Sequence, residues 1–166
     1  MQLNVVRTPG SRTPPRTLVV LEGLARRLSP SWLRVQLVLG DDELLRRLNR
    51  DFRGRDRATD VLSFLYETSR RCEAGEPHAE VYVSMQRVRV QAGEGGLPLS
   101  RELVLVVLHG LLHLQGHDHH TASDARRMRA AEVHHLRWLV RRWGWPRMQP
   151  LVPLDGTLAP GTGGRG

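Results

Sequence analysis

The chain has 166 residues, 40% of them hydrophobic, and a formal net charge of +8 carried on the basic side by arginine alone. No run of about 18 apolar residues marks a transmembrane helix, no basic segment followed by an apolar stretch opens the chain as in a secretory signal, and the single cysteine, Cys72, excludes an intrachain disulfide and a cysteine-type zinc site. One cytoplasmic domain is expected, with no membrane and no disulfide-linked partner, and large enough for several helices around a small sheet.

Residues 2–7 alternate as a short strand, and the prolines from Pro9 to Pro15 make a turn-rich connection. From Arg16 to Leu28 the apolar positions Leu18, Leu21, Leu24, Ala25 and Leu28 recur at helical spacing, and Pro30 stops the helix. Leu33, Val35, Leu37 and Leu39 alternate as a half-buried strand that Gly40 ends. Asp41 then caps a helix through D-E-L-L-R-R-L-N-R-D-F. V-L-S-F-L-Y at 61–66 is a further sheet segment, and the polar residues 67–78 form an exposed loop. Val81 and Val83 mark another strand, after which Ser84 caps a short helix running to about Ala92. G-E-G-G at 93–96 breaks the chain, Ser100 caps a long apolar helix, and Gly116 stands where a glycine ends one. Thr121 and Asp124 form a capping box for a last helix to about Trp143. Residues 146–166, with four prolines, five glycines and few apolar anchors, read as a disordered tail. The order β-α-β-α-β-β-α-α-α predicts an α+β domain over residues 1–145, its helices covering one face of a mixed sheet of about four strands.

The long apolar helix holds V-L-H-G-L-L-H-L-Q-G-H-D-H-H. A helix turns about 100° per residue, so His109 and His113 share a face. Gly110 between them lets a ligand or a strand approach closely, and Gly116 can adopt positive φ at low cost, turning the chain so that His119 reaches back. Three imidazoles at one point leave a fourth tetrahedral position open, the arrangement of a catalytic zinc and not of a structural one. Unpaired imidazoles inside an apolar helix would instead cost roughly 2 kcal/mol or more. His117 and His120 are weaker candidates: one of them replaces His119 as third ligand, His117 being the closer rival, or both are solvated side chains. Asp118 is either an orienting carboxylate or a turn residue. His134 and His135 read as surface or core-edge residues, and His78 lies in the polar loop. A metalloprotease of the H-E-x-x-H type carries its base where this chain has Gly110, so peptidase activity is disfavoured.

The complete absence of lysine and isoleucine points to a GC-rich genome, so the arginine content is partly mutational. Arginine still presents a planar fork suited to phosphate, and a basic domain of this size favours a nucleic-acid partner.

H-G-L-L-H-L-Q-G-H-D-H resembles the signature H-G-x-L-H-L-x-G-Y-D-H of the YbeY family of bacterial endoribonucleases, or rRNA maturation factors. L-N-R-D-F-R-G-R-D-R-A-T-D-V-L-S-F at 48–64 is similar to that family's L-N-x-x-Y-R-G-x-D-x-P-T-D-V-L-S-F, and E-V-Y-V-S at 80–84 followed by Gln91-Ala92 is a weaker match. The resemblance covers roughly residues 1–145. It implies a zincin-like, zinc-dependent hydrolase fold with one Zn2+ on His109, His113 and His119, and Arg53 contacting RNA phosphate. It also implies catalysis by these four residues, with ribosomal or single-stranded RNA as substrate and small-subunit ribosomal proteins as further partners. The expected roles are maturation of the small-subunit rRNA three-prime end and ribosome quality control. Thr59, Asp60 and Ser63 would line the cleft, although V-L-S-F reads equally as a core strand and Arg53 as a solvated neighbour of Asp51 or Asp56. The chain departs from the family pattern at His117, Ala58 and Leu65, and at Ala79-Glu80 in place of glycine-aspartate. An assembly factor that binds RNA around a structural metal is the alternative function.

Overall fold

The computed structural model describes residues 2–8, 13–29, 33–66, 78–145 and 149–150. Its elements are β1 (Gln2–Arg7), α1 (Pro15–Leu28), β2 (Arg34–Gly40), α2 (Asp42–Arg53), β3 (Val61–Leu65), β4 (Ala79–Ser84), α3 (Met85–Glu94), α4 (Leu99–Leu114) and α5 (Ala122–Trp143). Among the described residues this is the predicted α+β order. Most of the proposed 9–15 connection, Pro30, the 67–77 part of the polar loop and nearly all of the C-terminal tail lie outside the described residues.

The sheet runs β1-β2-β4-β3. β1, β2 and β4 are parallel, and β3 lies antiparallel to β4, pairing Val61 with Val83 and Ser63 with Val81. β2 is therefore an interior strand. Its burial is half-sided only at its start, and Leu37, Val38, Leu39 and Gly40 are all buried.

α4 is the central core element. Every residue from Glu102 to Leu112 is buried, so the helix is apolar nearly all round and shows no polar face. It packs on β3 and β4 and is flanked by α1, α3 and α5. One expectation needs correcting. Val61, Ser63 and Val81 face α4 at Gly110, whereas Phe64, on the opposite face of β3, meets Phe52 of α2 with ring centroids 5.1 Å apart. The helices thus cover both faces of the sheet near β3 and β4. The polar α2 qualifies because its few apolar side chains, Leu45 among them, fall on one side.

The end signals hold in the main. Asp41 accepts from Leu44 N at 2.9 Å, Ser84 accepts from Arg87 N at 3.3 Å, and Thr121 accepts from Asp124 N at 3.1 Å. Ser100 does not cap α4. The helix starts at Leu99, two residues before the start that a Ser100 cap sets, and Pro98 O accepts from Arg101 N and Glu102 N. Proline's fixed φ suits the turn into a helix without a side-chain cap. Gly93 and Glu94 remain helical, and the break falls at Gly95–Gly96, with Gly96 at φ +61°.

Candidate metal centre

α4 ends beneath the sheet edge in a Schellman turn. Gly116 takes φ +82°, Gly116 N donates to His113 O, and His117 N donates back to Leu112 O. This reversal carries residues 117–120 back along the helix end, and it puts His119 beside the two helical histidines. The ring centroid of His119 lies 5.5 Å from that of His109 and 5.3 Å from that of His113. One nitrogen from each of the three imidazoles lies within 4.8 Å of the others. His117 turns elsewhere. It is near enough to His135 of α5 to affect that residue's titration, and it is not among the residues lining the cleft.

Two contacts prepare the imidazoles. His109 Nδ1 donates to Glu132 Oε1 at 2.9 Å, and both side chains are buried. A carboxylate only accepts, so the proton is held on Nδ1 and the lone pair is left on Nε2. His109 Nε2 faces His113 Nε2 at 3.2 Å. That separation matches the roughly 3.3 Å between two nitrogens of a tetrahedral site with metal–nitrogen bonds near 2.0–2.1 Å. Burial first, then the neighbouring His109 and His119, push the His113 pKa down to about 3; Asp118 opposes this weakly. His119 is lowered by burial and then by His109. Both rings are thus neutral near pH 7, the form that ligates. The donor set fits a divalent cation, and these three histidines could hold one.

Gly110 is required by the wall behind the site. A β-carbon there would come within 2.9 Å of Val61 Cγ2 and of Val81 Cγ1. Ser63 Oγ donates to Gly110 O at 2.8 Å, so the serine ties the helix backbone to the edge strand. It is a strand and not a ligand that makes the close approach.

The cluster forms one wall of an open cleft of about 420 Å³, also lined by Arg53, Arg55, Thr59, Asp60, Val61, Ser63, Asp118 and His120. Arg53 ends α2, and Gly54 at φ +66° turns the chain there. Asp51 pairs with Arg50 and Asp56 with Arg46, so neither expected carboxylate neighbour holds Arg53. Arg53 is largely exposed at the cleft mouth. Desolvation against the wall and then Arg55 lower its pKa, with Asp118 pulling the other way, and it stays charged. Asp118 Oδ1 accepts from His119 N at 2.7 Å, while Oδ2 lies 3.0 Å from His120 Nε2. It therefore shapes the turn and holds the imidazole next to the cluster. Asp60 is buried, accepting from Val61 N and from Thr59 and Gln91 side chains.

Sequence reasoning missed two residues, Glu132 and Arg55. The signal for Glu132 was present: it is the lone acid in the buried series Ala125, Met128, Glu132, Leu136, Leu139 of α5. A carboxylate at a core position calls for a buried partner. Arg55 had a weaker signal, following Arg53 across a glycine turn.

An α+β domain whose arginine-flanked cleft holds three imidazoles that could take a metal ion defines the class. Comparison with known proteins narrows it. The family model described as endoribonuclease YbeY matches residues 18–139. Endoribonuclease YbeY of Myxococcus xanthus is 38% identical over 149 residues, covering 79% of this chain and 51% of that protein. Endoribonuclease YbeY of Wolinella succinogenes is 37% identical over 131 residues, covering 78% of this chain and 84% of that protein. The chain thus spans about half the length of the first relative and most of the second. The solution structure of TM1509 from Thermotoga maritima aligns with a TM-score of 0.56 at 26% identity, covering 86% of this chain and 92% of that one. The chain belongs to the endoribonuclease YbeY family.

Proposed function

We propose that the protein is a zinc-dependent, single-strand-specific endoribonuclease of the cytoplasm. In this reading it acts in maturation of the small-subunit rRNA three-prime end and in ribosome quality control, with small-subunit ribosomal proteins as further partners. The observation that carries it is the meeting of three imidazoles with Arg53 and Arg55 in one open cleft. His109, His113 and His119 would hold the cation, and nitrogen-only ligation favours zinc among the divalent ions. When bound, such an ion polarises a phosphoryl oxygen and acidifies water towards neutrality. Arg53 and Arg55 bind and orient the substrate phosphate, and they offset the charge that grows on it. Glu132 holds the His109 proton at Nδ1, and Ser63 keeps the helix and the edge strand in register beside the reacting group. RNA as the polyanion agrees with the net charge of +8.

The test pairs metal analysis with cleavage of a single-stranded RNA by the same preparation. His113→Ala should lose both bound zinc and cleavage while its circular dichroism is unchanged. Undiminished cleavage by a metal-free His113→Ala protein would sink the reading. One observation supports the alternative of a non-catalytic assembly factor with a structural metal. Both cleft carboxylates, Asp60 and Asp118, are already engaged in local hydrogen bonds, so neither is poised as a general base. Under that alternative, metal-loaded protein binds ribosomal RNA without cutting it, and removal of the metal unfolds the domain.

A further inference from the structure

α5 begins at Ala122, two residues after His120 on the cleft rim, and carries Arg126, Arg127, Arg129, Arg137, Arg141 and Arg142. It has only two acids. Glu132 is buried against His109, and Asp124 is held by Arg127. Arg126, Arg137, Arg141 and Arg142 are exposed and have no carboxylate partner among the described residues. At about 100° per residue, Arg137 returns to within about 20° of Arg126, and Arg141 lies about 40° further round. These three form one ridge. It points away from the buried series Ala125, Met128, Glu132, Leu136 and Leu139.

Within its own helix the ridge makes one contact among the described residues, Arg141 Nε donating to Arg137 O at 3.4 Å. Arg137 and Arg141 stand at i,i+4, where like charges destabilise a helix by a few tenths of a kcal/mol. The helix macrodipole accounts for a cation in the last turn, as with Arg141 and Arg142, but not for Arg126 near the start or Arg137 in the body. Composition bias explains arginine in place of lysine; it does not explain six arginines on one helix against two acids, one of them buried. A polyanion laid along the face would relieve this repulsion.

We propose that the outward face of α5 is a second RNA-binding surface, with Arg126, Arg137 and Arg141 gripping phosphates of the strand beyond the cleft. α5 is about 33 Å long, so a strand held in the cleft and also on this ridge must be several nucleotides longer than one that fills the cleft alone. The surface makes affinity depend on RNA length without entering the chemistry. The proposal rests on the reading of the cleft as an RNA site.

The experiment measures binding of a 30-nucleotide single-stranded RNA by metal-loaded protein across a salt series, with the strand verified intact on a gel. The variant Arg126→Gln/Arg137→Gln/Arg141→Gln is compared with wild type and with a control, Arg26→Gln/Arg47→Gln/Arg89→Gln, that loses the same charge from α1, α2 and α3. Each lost phosphate contact on a single strand removes about 0.7 from the slope of log affinity on log salt. The α5 variant should therefore be shallower by about 2, and the control should match wild type. Substituting lysine at the same three positions should restore the slope. For cleavage, KM for the 30-mer should rise about tenfold with kcat within twofold, and a six-nucleotide substrate should be cut as by wild type. An unchanged slope, or equal losses in variant and control, overturns the proposal and leaves the ridge to an acidic protein partner. Absence of cleavage by wild type overturns the cleft reading instead, and the salt slopes still decide whether α5 binds RNA.

Discussion

A methyl group at position 110 would press on Val61 and Val81 at 2.9 Å and on Ser63 Oγ at 3.1 Å, and two of these contacts come from branched side chains of packed strands. Gly110→Ala should therefore destabilise the fold by about 1–3 kcal/mol, read as a lower denaturant midpoint at constant m-value. The same geometry explains why no glutamate can act here as in H-E-x-x-H proteins: its side chain would start inside the sheet. At the neighbouring helix, Glu132 shares a buried hydrogen bond with His109. Glu132→Gln preserves the shape but loses the carboxylate that fixes the tautomer. Metal affinity should fall 10–100-fold in a chelator competition. Unchanged affinity would show that Glu132 only fills space.

Two arginines of α1 reach α5: Arg16 Nη2 donates to Trp143 O at 3.4 Å, and Arg27 meets three side chains. Arg27 Nε donates to His135 Nδ1 at 3.2 Å, Arg27 Nη2 lies 3.0 Å from His134 Nε2, and the guanidinium sits 4.9 Å from the Trp138 ring centroid. Accepting from Arg27 requires a neutral His135 ring. Burial first, then His134, Arg27 and His117, lower its pKa from 6.5 to about 4. The folded state therefore binds fewer protons than the unfolded chain between those values, and stability rises with pH across that window. The contribution is complete above about pH 6.5 and is lost as pH falls towards 4. The midpoint of urea unfolding should drop over this range in wild type. In His135→Gln, measured without metal, the drop should be smaller. An identical pH dependence would remove His135 from the account.

For the whole molecule, two of the three candidate ligands come from α4, the most buried helix, and the third from the turn that ends it. A cation bound there stabilises only the folded chain, because the unfolded chain scatters the ligands. At zinc near 100 times its Kd the gain is about 2.7 kcal/mol, which for a chain of this size raises Tm by about 5–10 °C. Calorimetry should find that rise in wild type and not in His113→Ala.

Much of this was legible in the chain. Apolar spacing and turn residues are local signals, so the order of nine elements, the caps at Asp41, Ser84 and Thr121, and the reversal at Gly116 could be read before any contact was seen. A period of 3.6 alone places His109 and His113 on one face. The start of α4 was misplaced because proline can open a helix with no side-chain cap to betray it. Single-faced coverage of the sheet failed because α2, polar by composition, packs through only a few apolar residues. The remaining features join residues far apart in the chain. His119 and not His117 reaches the helical pair, Glu132 comes from α5 to hold His109, and Arg53 and Arg55 reach the cleft from the end of α2. Sequence by itself determined the elements and two corners of the candidate metal centre, since these follow from backbone periodicity. Only tertiary packing decided the third corner, its carboxylate support and its arginine wall, because no local pattern encodes which distant surfaces will meet.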